Sequence, residues 1–158
     1  MAANERLNQW LRDAHAMETQ AEQLLAGQQR RTDNHPVFSA RLEQHIGIAK
    51  MKRERLERCL ERRGTSASTL KDTAARITAT AQNFSGYFME DEVVKGALAI
   101  YTFEQMAVAS YLILEAAAKA DDDEQTALEC AQSRSEDEEL CAWLKGHLGE
   151  VAVMHLQD

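Results

Sequence analysis

The chain is poor in residues that interrupt helices or staple small folds. One proline and seven glycines in 158 residues leave long stretches with no helix breaker. Aromatics make up only 6% of the chain, and no strand-like alternation of apolar and polar residues persists anywhere. The three cysteines are an odd number without CxxC spacing, which excludes a disulfide framework and a zinc knuckle. Cys130 and Cys141 are too far apart along one helix to meet, so a reduced, cytoplasmic setting is expected. By simple reading, no apolar run approaches the ~18 residues of a membrane span. Met1 to Gln9 lacks the apolar stretch of a secretory leader. There is no excess of basic charge either. A formal net charge of -8 argues against nucleic acid and against anionic membrane surfaces as partners. Gly-rich phosphate loops and nucleophile–base constellations are also missing.

What remains is helix. A first stripe, Leu7, Trp10, Leu11, Ala14, Met17, Ala21, Leu24 and Leu25, recurs at three- and four-residue steps over about 4–28, ending at Gly27 and a polar run. Pro36 suits the first turn of a second helix over about 36–63, closed by Gly64. Val37, Leu42, His45, Ile46, Ala49, Leu56, Cys59 and Leu60 face its interior side. The other face is dense in charge, with Lys50, Lys52, Arg53, Arg55, Arg58, Arg62 and Arg63 interleaved with Glu54, Glu57 and Glu61. Interleaved signs at helical spacing read as a solvated face with i,i+4 pairs.

A Ser/Thr-rich break precedes a weaker Ala/Thr-rich helix over about 69–83, a length that suits a crossover between two helical hairpins. A third helix follows over about 91–120, with Val94, Ala97, Tyr101, Glu104, Val108, Tyr111 and Leu112 on its inner face. The fourth, capped by Asp121 to Glu124, covers about 122–156. Its inner face includes Leu128, Glu136 or Asp137, Leu140, Trp143, Leu144, Leu148 and Val151. The expected architecture is one all-α domain over 1–158: a four-helix bundle with a long second-to-third crossover carrying a short fifth helix.

Each long helix then holds one metal-competent side chain near its midpoint: Glu18, His45, Glu104 and Glu136. Four such groups would meet at one level of the core, where unpaired charge is expensive. A bound metal pair is the usual reason to accept that cost in four-helix carboxylate proteins. Glu104 is the hardest to explain otherwise, since it interrupts the largely apolar run from Ala97 to Leu114. Glu18 sits at the edge of its stripe, with Glu22 as the alternative in a shifted register. In the acidic run Glu136 to Glu139 one member must turn inward. Iron and manganese prefer carboxylate oxygen with an occasional imidazole, as here. Tyr101 and Tyr111 are placed to hydrogen-bond a carboxylate or simply to pack. His15, His147 and His155 read as exposed or structural.

The strings Trp10–Glu18, Leu42–His45, Asp91–Gly96 and Phe103–Gln105 resemble the YciE/YciF bacterial stress proteins over nearly the whole chain, and YciE most closely. The resemblance implies a ferritin-like fold, related in architecture to rubrerythrin and manganese catalase. It also implies a homodimer, a role in stress tolerance, a binuclear iron or manganese site, and chemistry on peroxide or oxygen. The family pattern resembles His-x-x-Glu on the second helix and Glu-x-x-Glu on the third. Here Ile48 and Ala107 stand at the second position of each. Two readings therefore arise: a ferritin-like protein with a full or residual metal site, or a metal-free, non-enzymatic dimeric bundle.

Overall fold

Helix starts and stops are set by local chemistry at four points. Pro36 occupies the first turn of the second helix, where its missing N–H removes no bond. At the end of that helix Gly64 adopts φ 76°, with Gly64 N–H donating to Glu61 O and Thr65 N–H to Leu60 O, each at 3.0 Å. That pair of bonds is a Schellman closure, which favours glycine at this position. The same closure ends the third helix, with Asp123 N–H donating to Ala118 O at 2.9 Å. Here Asp122 takes the left-handed conformation at φ 54°. Asp123 then caps the fourth helix by accepting from Thr126 N–H at 3.1 Å.

In the computed structural model, residues 1–67 and 93–158 are described. They form α1 (Ala3–Arg31), α2 (Pro36–Arg62), α3 (Val93–Ala120) and α4 (Glu124–Gln157), with no strand among the described residues. The expected short helix over 69–83 and the expected first residues of the third helix lie outside them. Short connections make α1–α2 and α3–α4 hairpins. The hairpins associate through α1 against α3 and α2 against α4. This is the all-α, ferritin-like bundle expected from the sequence.

The core divides into two apolar clusters. One gathers Leu7, Leu11, Leu56, Leu60, Phe103 and Leu114 with their neighbours, the other Leu25, Phe38, Leu42, Ile100, Leu140 and Leu144. Between them runs a layer of buried polar side chains from all four helices. A separate buried contact fixes the approach of α1 to α3. The Gln28 carboxamide donates to Val93 O at 2.7 Å, and its Oε1 passes 1.8 Å from where a Cβ on Gly96 would stand. This anchor also explains why α1 continues through Arg31 instead of ending at Gly27.

Several stripe assignments need correction. Val37, Leu112 and Leu128 were expected inside but are 70%, 48% and 64% exposed, and Trp10 is 40% exposed. In α4 the true inner face is Ala127, Cys130, Ser133, Asp137, Leu140 and Leu144, one position away from the register that Leu128 suggested. Lys52 and Arg55, assigned to the solvated face of α2, are buried at 0% and 6% exposure. Contrary to the simple reading of apolar runs, α3 is long and apolar enough by length and composition to cross a membrane. A core helix meets the same criteria, and in this bundle α3 turns Glu104, Ala107 and Tyr111 inward.

The two left-handed closures give opposite expectations. Gly64→Ala should lower stability by about 1 kcal/mol, because a Cβ is disfavoured in that conformation. Asp122→Gly should raise it by about half as much, the relief of strain being partly offset by glycine's extra freedom in the unfolded chain. Paired thermal melts of the two variants against the parent protein would show shifts of opposite sign.

Candidate metal centre in the bundle core

The polar layer follows from helical spacing. On α1, Glu18 continues the stripe Leu11, Ala14, Ala21 and Leu25. On α2, His45 and Lys52 are seven residues apart, two turns along one face, with Ala49 between them. On α3, Glu104 and Tyr111 have the same seven-residue spacing, and Ala107 lies between them. On α4, Asp137 sits between Ser133 and Leu140. None of the six side chains is more than 2% exposed.

Lys52 occupies the centre of one half of this layer. Its ammonium is 3.1 Å from Glu18 Oε1, donates to Asp137 Oδ1, and lies 5.8 Å from the centre of the Tyr111 ring. Tyr111 donates its hydroxyl to Glu18 Oε1 at 2.6 Å. His45 occupies the other half, with Nε2 3.3 Å from Asp137 Oδ1 and 3.5 Å from Glu104 Oε2. Asp137 Oδ1 is therefore shared between imidazole and ammonium.

Four buried atoms of the layer lack a hydrogen-bond partner: His45 Nε2, Glu104 Oε2, Asp137 Oδ2 and Glu18 Oε2. Leaving such atoms unmade is costly. His45, Glu104 and Asp137 each offer a ligand atom within 4.8 Å of the others. One imidazole nitrogen and two carboxylates suit iron or manganese. The residues thus fit a divalent ion on the His45 side, and the unmade bonds are the structural reason to place one there.

The electrostatics are those of a crowded anionic site. Burial raises the Glu18 carboxyl to about 7, the nearby Lys52 ammonium only partly opposing it. For His45 burial acts downward, but the Asp137 and Glu104 carboxylates outweigh it and lift the imidazole to about 9. Burial likewise acts against the charge on Lys52, yet Glu18, Glu104 and Asp137 together hold it above the ordinary lysine value. Glu104 is held below its usual range despite burial, by Lys52 and His45, while burial pushes Asp137 up. Without a metal, this cluster takes up protons to reduce its negative charge.

Of the expected ligands, the structure brings Glu18, His45 and Glu104 into the layer. Glu136 is not in it. That carboxylate forms a two-point pair with Arg55, at 3.0 and 2.7 Å, and Arg55 also donates to Ser133 at 3.1 Å. Asp137, the other candidate in the acidic run, turns inward because it lies four residues after Ser133 and three before Leu140. Glu22 pairs instead with Arg53 at 2.7 Å. Tyr101 meets Gln105 at the surface, whereas Tyr111 supports Glu18. His15 contacts Glu57 at 2.9 Å, and His147 stacks on Trp143 with ring centres 3.9 Å apart. Ile48 is half-buried and Ala107 buried. Neither can offer a ligand atom.

The residue that sequence reasoning missed is Lys52. Its signal was present: it falls three residues after Ala49 and four before Leu56, squarely on the α2 stripe. The charged neighbours on either side hid it.

Three outcomes follow for stability. Asp137→Ala should cost about 3–5 kcal/mol in urea denaturation, as expected for removing one partner of a buried ion pair. Glu136→Ala should cost about 1 kcal/mol, since its pair with Arg55 is partly solvated. For chelator-treated protein, the His45 imidazole is raised above its unfolded value and Glu18 is raised too. Both therefore contribute stability that is full at lower pH. The Glu18 contribution fades as pH rises from about 4.5 to 7 and that of His45 from about 6.5 to 9. Melting temperature in chelator should decline as pH rises from about 4.5 to 9, and His45→Asn should flatten the upper part of that decline.

Comparison with known proteins agrees with this architecture. A crystal structure of a protein (XCC3681) from Xanthomonas campestris pv. campestris superposes with a TM-score of 0.84 at 32% sequence identity, covering 99% of this chain and 97% of that one. A family model described as a domain of unknown function, DUF892, matches residues 2–157. The chain belongs to the DUF892 family, the YciF-type ferritin-like proteins.

Proposed function

We propose that this protein is a bacterial stress-response protein of the YciE type that holds iron or manganese in its bundle core and acts on peroxide or oxygen. The observation that carries the reading is the convergence of His45, Glu104 and Asp137, with ligand atoms within 4.8 Å and no hydrogen bond to satisfy His45 Nε2 or Glu104 Oε2. These three residues would hold the metal, which would supply one-electron exchange with the substrate. The chain's own residues shape the rest. Complete burial of the donors restricts access to molecules as small as water, dioxygen or peroxide. Tyr111 and Glu18, in a 2.6 Å hydrogen bond, can hold a proton beside the site. Lys52 fixes a positive charge there, which favours anionic oxygen species. Disproportionation of two peroxide molecules to two waters and dioxygen balances without an outside reductant.

A second reading is favoured by one observation: Lys52 already offsets part of the buried negative charge. In this reading the protein is a metal-free, non-enzymatic dimeric bundle that has kept the fold and lost the di-metal site. Both readings place a homodimer in the cytoplasm, with no nucleic-acid partner.

Elemental analysis separates them. Protein reconstituted anaerobically with Fe²⁺ or Mn²⁺ and desalted should retain about one ion per chain, and Glu104→Ala should lose it along with peroxide consumption. Protein that stays metal-free after reconstitution leaves the non-enzymatic reading.

A further inference from the structure

The four-helix carboxylate site has two cation positions, and in this chain the second is filled by a side chain. We infer that the Lys52 ammonium permanently occupies the place of a second metal ion, so that the centre is mononuclear by construction. The inference rests on the metal reading above for the first ion, and on the surroundings of Lys52 for the second.

Three observations carry it. First, Lys52 has the surroundings of a bound cation. Its Nζ contacts carboxylates from two other helices, Glu18 of α1 and Asp137 of α4, and faces the Tyr111 ring of α3, with no exposure to solvent. Second, Asp137 Oδ1 touches both Lys52 and His45, so it bridges the ammonium and the His45 position as a carboxylate bridges two ions. Glu18 Oε2 and Asp137 Oδ2 remain unmade although both are buried. They belong to the two carboxylates that hold Lys52, spare oxygen atoms that the ammonium leaves unused and that a metal ion could engage.

Third, the formal charges match one ion and not two. With a metal ligated, and so with a neutral imidazole and ionised carboxylates, Glu18, Glu104 and Asp137 with Lys52 carry two net negative charges, which a single divalent cation cancels. A second divalent ion would leave excess positive charge in a site with no solvent contact. The ammonium also supplies, from within the chain, the neutralisation lost where Ile48 and Ala107 offer no carboxylate. A side chain arriving one turn beyond Ile48, at i+4, reaches the same layer.

The test is metal stoichiometry and the spectrum of Mn²⁺, neither of which depends on turnover. Parent protein loaded with Mn²⁺ should bind about one ion per chain and give the six-line paramagnetic resonance spectrum of an isolated ion. Lys52→Gln should bind about two and give the broadened, multi-line spectrum of a coupled pair. Since this variant leaves Glu18 and Asp137 unpaired, its metal-free form is expected to be destabilised and to regain melting temperature on adding Mn²⁺. The double variant Lys52→Gln/Glu18→Gln removes one of the freed carboxylates. It should fold without metal and return to about one ion per chain.

Parent protein with two ions, or Lys52→Gln with one ion and no coupled spectrum, would overturn the inference while leaving the metal reading intact. Parent protein with none overturns the metal reading. In that case, uptake of an ion by Lys52→Gln still supports Lys52 as the cation in the site, and no uptake overturns both.

Discussion

The buried contact of Lys52 with Asp137 and Glu18 is the constraint on which the rest of the bundle core depends. It ties α2 to α4 and to α1 at the level where the two apolar clusters part. Three acidic groups from three helices could not share this interior without a cation. Each ion taken from water carries a penalty of several kcal/mol even after relaxation. The ammonium offsets part of that penalty where it meets Glu18 and Asp137, while atoms without an aligned hydrogen bond remain on His45 and on all three carboxylates. The layer thus has one position held by a lysine and another, among His45, Glu104 and Asp137, whose donor atoms could hold an ion.

The periphery repeats the principle at lower cost. Arg55 with Glu136, and Arg63 with Asp121 at 2.8 Å and Asp123 at 2.9 Å, join α2 to the hairpin of α3 and α4. Arg62 with Glu129 at 2.8 Å adds a third link. Arg55 and Arg62 share α2 with Lys52 and Arg63 follows at its C-terminal cap, so this helix and its end supply cations for Glu129, Glu136 and Asp137 of α4 and for Asp121 and Asp123 of the turn before it. The division of labour explains why α2 is rich in basic residues while the chain as a whole is acidic. Arg55 and Arg63 line an interface between helices, whereas Arg62 stays partly in solvent.

The fold was legible because its signals are long and redundant. Four stretches of helical periodicity, a proline at a first turn and a glycine at a last one each point the same way, so an error in any one residue changes little. The site was partly legible for the same reason: Glu18, His45 and Glu104 interrupt apolar surroundings. The acidic run of α4 was not resolvable, because Glu136 and Asp137 have equal claims until the register is known. The apolar but exposed Leu128 suggested the wrong register. Lys52 was hidden differently. Sequence patterns assign a lysine to water because burying one is expensive, and what reverses the assignment is three carboxylates brought from residues 18, 104 and 137 by the fold. No local pattern contains that information.

The persistence of the polar layer is itself informative. Replacing a buried ion network with packed apolar side chains is often neutral or stabilising by about 1–4 kcal/mol. A bundle selected only for stability would join its two apolar clusters through this level, as Ala49 and Ala107 already begin to do. Instead the chain keeps three carboxylates, an imidazole, an ammonium and a tyrosine there, and leaves four of their polar atoms without an aligned hydrogen bond, the His45 and Glu104 atoms being only at ion-pair distance. A network retained solely to fix helix register would be expected to satisfy its members, since each unmade buried bond weakens the very packing it is meant to specify. The misaligned atoms on His45 and Glu104 thus argue for a function that uses them, and, if that function is metal binding, the lysine beside them would limit it to a single ion.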